Sequence, residues 1–103
     1  MNLQVKVAEK NSNFAVLAVA GEVDAYTAPQ LKETLLPMTK TENYLVKVDL
    51  DNVNYMDSTG LGVFISALKS TKENNSHMKL CNMQERVHRL FDITGLAEIM
   101  DIE

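Results

Sequence analysis

The sequence predicts a single α/β domain whose mixed β-sheet has about four to five strands and is covered by helices. Two observations support this fold class. Strand-like and helix-like patterns alternate along the chain after an opening hairpin. The 103 residues, 46% of them hydrophobic, are enough for one compact core and too few for two. We therefore treat residues 1–103 as one domain.

The chain opens with two predicted antiparallel strands. Residues 3–8 alternate between apolar and polar, which places Leu3, Val5 and Val7 on one face of a half-buried strand. The turn-forming segment 11–13 follows. The denser apolar run at 14–19 indicates a second, more buried strand, and together they form a hairpin.

A helix is predicted to begin at Thr27. The segment 27–30 (TAPQ) has the form of a capping box, in which Thr27 caps backbone N–H groups and Gln30 reaches back to the helix start. Pro29 suits the first turn, and Pro37 lies near the predicted end of the helix. A third strand is predicted at 44–50, and residues 53–56 carry the chain onward from it.

The remaining elements continue the alternation. A second helix is predicted to start at Ser58 as its N-cap, and a strand follows at 77–81. The segment 82–85 resembles another cap, opening a third helix that Gly95 closes, and a short last strand is predicted at 99–102. Ligands and partners usually bind at the carboxyl ends of parallel strands.

The segment 55–62 (YMDSTGLG) is unusual for a helix start, because Gly60 and Gly62 each cost up to about 1 kcal/mol relative to alanine. On a helical projection, the apolar side that should face the sheet comprises Leu61, Phe64, Ile65 and Leu68. A second side, small and polar, comprises Ser58, Gly62, Ser66 and Lys69. The second side could let a flat partner surface approach closely. An ordinary solvated helix face is the alternative.

Ser58 is placed where a phosphoryl group would act as a switch. The group adds a charge of about −1.5 to −2 at neutral pH. The N–H groups and macrodipole at a helix N-terminus favour an anion, so the fold should tolerate it. A docked partner should not, and Asp57 and Asp24 would add like charge nearby. We therefore predict that phosphorylation of Ser58 changes binding without unfolding the domain.

Three segments carry a resemblance to a known family. Residues 56–62 (MDSTGLG) resemble the phosphorylation signature of bacterial anti-sigma-factor antagonists of the STAS-domain type. Residues 21–24 (GEVD) with 27–29 (TAP) resemble that family's first loop and helix, and residues 89–96 (RLFDITGL) resemble its C-terminal helix. The likeness covers essentially the whole chain and is greatest for antagonists of the general stress (sigma-B) pathway.

The resemblance implies a single STAS domain that works by partner switching. The unphosphorylated protein would bind an anti-sigma factor that is also a serine kinase, and so release the sigma factor for transcription. The kinase would phosphorylate Ser58, and a metal-dependent serine phosphatase would remove the phosphate. Thr59 provides a second hydroxyl, and whether it also accepts phosphate stays open. The expected partner surface comprises Asp24, Asp57, Ser58, Thr59, Gly60, Gly62, Ser66 and Lys69.

Composition argues against several other classes of protein. A formal net charge of −4 is a poor basis for gripping nucleic acid, which needs clustered Lys and Arg. The sequence lacks a signal-peptide pattern and an apolar run of about 20 residues, so we expect a cytoplasmic protein without a membrane segment. The single Cys81 is interpreted as a core residue.

An enzyme, a metal protein and a cofactor protein are all disfavoured by the motifs. Ser58 lacks the G-x-S-x-G elbow of a hydrolase, and nothing in the sequence ties His77 or His88 to it. No spacing matches a P-loop or a known metal-ligand set. The open alternative is a STAS scaffold or a nucleotide- or ligand-binding module. Such domains usually come attached to further sequence, so we expect a stand-alone antagonist, monomeric when free.

Overall fold

The computed structural model describes residues 2–103, which form a five-stranded sheet, three α-helices and one short 3-10 helix. The strands are β1 (Leu3–Lys10), β2 (Phe14–Val23), β3 (Leu45–Met56), β4 (His77–Cys81) and β5 (Asp101–Ile102). The helices are α1 (Ala28–Met38), α2 (Ser58–Asn74) and α3 (Glu85–Ile93), and the 3-10 helix spans Leu96–Glu98. Within these residues, no helix has the length and apolar character that crossing a bilayer requires.

The sheet follows chain order, β1 to β5, with β1 antiparallel to β2 and every later neighbour parallel. The predicted mixed α/β sheet is therefore confirmed. At its carboxyl end Val23 of β2 lies opposite Met56 of β3, and the Asp57 N–H donates to the Val23 carbonyl at 3.2 Å. This pairing brings the β2–α1 loop and the β3–α2 loop side by side.

The hydrophobic core lies between one face of the sheet and the helices. Alternate strand residues that point to this face are fully or nearly fully buried, among them Leu17, Val19, Val46, Val48 and Leu80. They pack with apolar residues of the helices, and the rings of Phe64 (α2) and Phe91 (α3) lie 6.0 Å apart. Burying each such side chain stabilises the fold by about 1.5–3 kcal/mol. The core fixes α2, and with it Ser58, relative to the sheet.

Strand β3 is longer than the sequence pattern predicts. It runs from Leu45 to Met56 without a break. Its register with β2 shifts at two points, and at each of them β3 accommodates one extra residue. After Leu50 the buried positions fall every third residue, at Val53 and Met56. Strict alternation does not reveal such a strand.

Gly21 near the end of β2 is required by the backbone. It has φ +112°, and a Cβ there would lie 2.2 Å from the Asn2 carbonyl oxygen.

The predicted capping box of α1 is wrong. The Thr27 hydroxyl donates to the Glu22 carbonyl at 2.7 Å and accepts the Asp24 N–H at 3.0 Å, so it closes the β2–α1 loop. The Gln30 amide donates to the Leu3 carbonyl at 3.2 Å and ties α1 to β1. The two side chains thus connect α1 to the loop and to the edge strand, and neither caps the helix.

The C-terminal region follows the prediction in its order of elements, with a shortened last strand. The predicted cap at 82–85 is wrong, because Gln84 stands at the N-cap of α3 without a side-chain capping hydrogen bond and the Asn82 amide donates to Asp49 at 3.2 Å. Gly95 takes a left-handed φ of +81° just after Thr94, the C-cap of α3, as a closing glycine does. The 3-10 helix then occupies part of the segment up to β5, which leaves only two residues to pair with β4.

Candidate functional site

Asp57 caps helix α2, and the prediction that Ser58 does so is wrong. The Asp57 backbone is extended, with φ −115° and ψ −172°, and its Oδ1 accepts the N–H groups of Thr59 at 2.9 Å and Gly60 at 3.4 Å. Ser58 is the first residue of the helix and is exposed. Its hydroxyl makes no hydrogen bond with any residue from 2 to 103, so it is free to react with a molecule that approaches from solvent.

The cap changes the electrostatics expected for an anion on Ser58. Two donors of the first turn are already engaged by the Asp57 carboxylate. A phosphoryl group on Ser58 would lie next to this negative charge. The repulsion would oppose binding of the phosphoryl group to the N–H groups of the helix terminus. The group would therefore project outward, and its charge would act mainly on whatever lies against α2.

Gly60 and Gly62, the two glycines of the helix start, differ in whether packing requires them. Gly60 is buried, and a Cβ there would lie 2.7 Å from Met56 Cγ and 2.8 Å from Val23 Cγ1. Its missing side chain lets the helix start pack onto the ends of β2 and β3. A Cβ at Gly62, by contrast, would lie within 4 Å of no heavy atom of residues 2–103 outside its two chain neighbours and its own helical backbone. Packing within the described chain explains Gly60 and leaves Gly62 without a structural reason.

Gly62 lies in a groove between α1 and α2. The groove has a volume of about 270 Å³. Its α2 side consists of Thr59, Gly62, Val63 and Ser66, and its α1 side of Ala25, Ala28, Pro29 and Lys32. Most of these side chains are small, so the groove is an open surface rather than a filled seam. The structure thus brings Thr59, Gly62 and Ser66 to one surface, with exposed Lys69 three residues beyond Ser66.

Asp24 is buried in the β2–α1 loop, directly before Ala25 of the groove. Its side chain is 7% exposed, and its Oδ1 accepts the N–H groups of Tyr26 at 2.9 Å and Thr27 at 3.0 Å. The hydrogen bond from the Thr27 backbone is the main reason why the pKa of Asp24 lies below its ordinary value. The placement favours a positioning role, in which Asp24 fixes the β2–α1 loop.

The depressed pKa of Asp24 gives a test by acidification. Since the folded-state pKa lies below the unfolded value of 3.8, the ionised group stabilises the fold above 3.8, and this contribution is lost as the pH falls further through the folded pKa. Asp24→Asn should therefore lose less stability than the wild type between pH 6 and pH 3, measured by urea unfolding. Equal losses in the two proteins would contradict the assignment.

Sequence reasoning missed the α1 side of the groove and Tyr26. The Tyr26 side chain is 85% exposed, just before α1. A signal was present, since a large aromatic residue stands here between a strand and a helix among small residues that give it little to pack on. The groove itself joins two helices that are distant along the chain, and no local pattern could reveal it.

The geometry offers no hydrolase arrangement at Ser58. His77 opens β4 and pairs with Leu45 at the amino end of β3, whereas Ser58 follows the carboxyl end of β3. The His77 Nε2 lies 2.7 Å from Asp101, and His88 contacts Asp92 on α3 at 3.0 Å. Among residues 2–103, no group of three His, Cys, Asp or Glu side chains is placed to hold a metal ion. Cys81 is buried, as interpreted from sequence, and burial raises the pKa of its thiol.

Comparisons with known proteins agree with this fold. Residues 5–103 match the STAS domain family. The anti-sigma-B factor antagonist of Listeria monocytogenes is 44% identical over 103 residues, which cover 100% of this chain and 90% of that protein. The anti-sigma-B factor antagonist of Bacillus subtilis is 46% identical over 102 residues, 99% of this chain and 92% of that protein.

A solved structure shows the same architecture. The crystal structure of an anti-sigma factor antagonist from Mycobacterium paratuberculosis superposes with a TM-score of 0.85 at 21% identity. The superposition covers 98% of this chain and 85% of the mycobacterial one. At that identity the likeness concerns the fold alone.

Proposed function

The chain belongs to the STAS domain family and to its anti-sigma factor antagonists, and we propose that it regulates a sigma factor by a phosphorylation switch at Ser58. The observation that supports the switch most is the exposed Ser58 hydroxyl, unused by the cap and set beside Asp57 at the start of α2. Its relatives in Listeria and Bacillus support the sigma-B general stress pathway as its setting.

The unphosphorylated protein binds an anti-sigma factor that is also a serine kinase, and the sigma factor is released. The contact surface is the α2 side that bears Ser58, Thr59, Gly62, Ser66 and Lys69, with Asp57 at its rim and Asp24 and Gly60 shaping it from below. The protein acts in the cytoplasm and is a monomer when free. Because it releases the sigma factor, it is a positive regulator of transcription that does not itself bind nucleic acid.

Phosphorylation by the bound kinase ends the complex. The phosphoryl group adds about −1.5 to −2 charges at the rim of the contact surface, next to the Asp57 carboxylate. Because Asp57 already uses two N–H groups of the first turn, the new charge faces the partner. Like charges forced together in an interface cost several kcal/mol. A metal-dependent serine phosphatase restores the binding form.

The proposal is tested by incubating the protein with the anti-sigma factor of the same organism and Mg-ATP, then locating phosphate by mass spectrometry. We expect one phosphoryl group on Ser58 in the wild type, none on Ser58→Ala, and the group again on Ser58 in Thr59→Val. Loss of the complex should follow the labelling in time. Phosphate confined to another residue, or a complex that ATP leaves intact with no phosphate on the chain, would contradict the switch.

A further inference from the structure

Asp57 is held at the start of α2 by hydrogen bonds to two elements of the fold. Its N–H donates to the Val23 carbonyl of β2 at 3.2 Å, and its own carbonyl accepts the Leu61 N–H of α2 at 3.2 Å. Its carboxylate accepts the N–H groups of Thr59 and Gly60, and the residue is half-buried. Because backbone and side chain are both engaged, the Asp57 carboxylate cannot leave this place without breaking the cap.

The N–H groups that Asp57 occupies are those that a phosphoryl group on Ser58 would otherwise use. Ser58 is the first residue of α2, so its side chain starts at the end of the helix where these N–H groups lie. A free helix N-terminus attracts phosphate through its N–H groups and its macrodipole, and would draw the phosphoryl oxygens inward. The Asp57 carboxylate fills this place with its own negative charge, so the phosphorylated serine is denied it.

The direction of the phosphoryl group decides how readily it is removed. In hydrolysis, water adds to phosphorus on the side opposite Ser58 Oγ, the bond between phosphorus and Oγ breaks, Oγ takes up a proton and inorganic phosphate leaves. A phosphoryl group folded onto the helix terminus would have protein on the side where water must add. A group that points into solvent has this side open. A residue that keeps the terminus occupied therefore keeps the phosphoserine hydrolysable.

We propose that Asp57 is a positioning residue for dephosphorylation, which keeps the phosphoryl group of Ser58 off the start of α2 and within reach of a phosphatase. The inference rests on the proposed function, because it concerns the phosphorylated state of the same serine. Asp57 also prevents the fold from stabilising that state, so the switch can be reset. The neighbouring β2–α1 loop contributes Asp24 to this side of the domain and α1 contributes Lys32, and both stay in every variant below.

The first measurement is the pKa of the phosphoryl group itself. Phosphoserine is placed at position 58 of the intact protein during translation, so the test does not depend on a kinase. In the wild type its second pKa, followed by phosphorus NMR, should lie at or above the ordinary value of about 6. In Asp57→Ala the group gains the freed N–H groups and loses a like charge, which should lower this pKa by about 1. Asp57→Asn, whose amide oxygen can still cap, should lie in between.

The second measurement is the rate of hydrolysis by alkaline phosphatase, which needs no particular protein surface and so separates shielding from lost contacts. We expect phosphate release from Asp57→Ala to be about 10-fold slower than from the wild type, because the exposed form becomes a minor state. The capping variant Asp57→Asn should restore most of the rate. Asp92→Ala, which removes a carboxylate from α3, is the control for charge and should match the wild type in both measurements.

The outcomes separate this inference from the proposed function. Equal phosphoserine pKa values and equal hydrolysis in the wild type and Asp57→Ala would overturn the positioning role and leave the switch standing. A lowered pKa without slower hydrolysis would overturn it as well. If the kinase fails to phosphorylate Ser58, the proposed function falls, and the installed phosphoserine still decides the role of Asp57. Asp57→Gly, which loses the carboxylate at less cost to the helix, replaces Asp57→Ala if circular dichroism shows that variant unfolded.

Discussion

Ser58→Asp is expected to bind the anti-sigma factor at least about 100-fold more weakly than the wild type, a loss of about 2.7 kcal/mol. The substituted carboxylate stands at the first helical position beside Asp57, at the rim of the proposed contact surface. The fold should remain, because an acidic residue in the first turn of a helix is neutral to slightly favourable, by about 0.3–1 kcal/mol. Calorimetric titration measures the affinity, and circular dichroism with thermal melting measures the fold.

Two controls define this result. Ser58→Ala should keep the wild-type affinity and hold the complex in the presence of Mg-ATP, because it removes the acceptor and adds no charge. Ser12→Asp adds the same charge in the exposed turn between β1 and β2, at the opposite end of the domain, and should not affect binding. A folded Ser58→Asp protein with wild-type affinity would disprove a charge-based switch at this position.

The fold could be predicted because its signals are local. Alternation in β1 and β2, the turn at 11–13 and the helical periodicity from Leu61 to Leu68 each depend on neighbours in sequence, and the structure confirms the elements they indicate. The length of β3 could not be predicted in this way. Its two extra residues are set by register with β2, which shifts the buried positions from every second residue to every third.

The caps show the same division between local and tertiary causes. Asp57 and Ser58 are both favourable N-cap residues, so the sequence alone does not decide between them. The choice of Asp57 as the cap follows from strand pairing. Met56, the last residue of β3, pairs with Val23, and the N–H of Asp57 donates to the Val23 carbonyl, so the strand ends directly before Asp57. Because Asp57 takes the capping role, Ser58 is left exposed. The predicted cap is wrong, and the role of Ser58 as the phosphate acceptor stays a prediction.

Gly60 and Gly62 should respond to the same substitution in opposite directions. Gly60→Ala places a methyl group under 3 Å from Met56 Cγ and Val23 Cγ1, both in the core. Overpacking of this kind costs about 1–3 kcal/mol, only partly offset by the higher helix propensity of alanine. Gly62→Ala adds a methyl group that meets no heavy atom of the described chain beyond its two neighbours and its own helical backbone, so it should stabilise the helix by about 0.5–1 kcal/mol. Urea unfolding of the two variants measures both changes in the free energy of unfolding, a decrease for Gly60→Ala and an increase for Gly62→Ala.

Binding separates the two glycines a second time. If the partner approaches the backbone at Gly62, the more stable Gly62→Ala protein should bind the anti-sigma factor about 10-fold more weakly, a loss of about 1.4 kcal/mol. The less stable Gly60→Ala protein should lose less affinity, because its added methyl group points into the core and not toward the partner. A Gly62→Ala protein that gains stability and keeps full affinity would show that the partner stays clear of this part of α2. Stability gained at the expense of binding would identify Gly62 as a residue kept for the interface, since the fold itself would be better served by alanine.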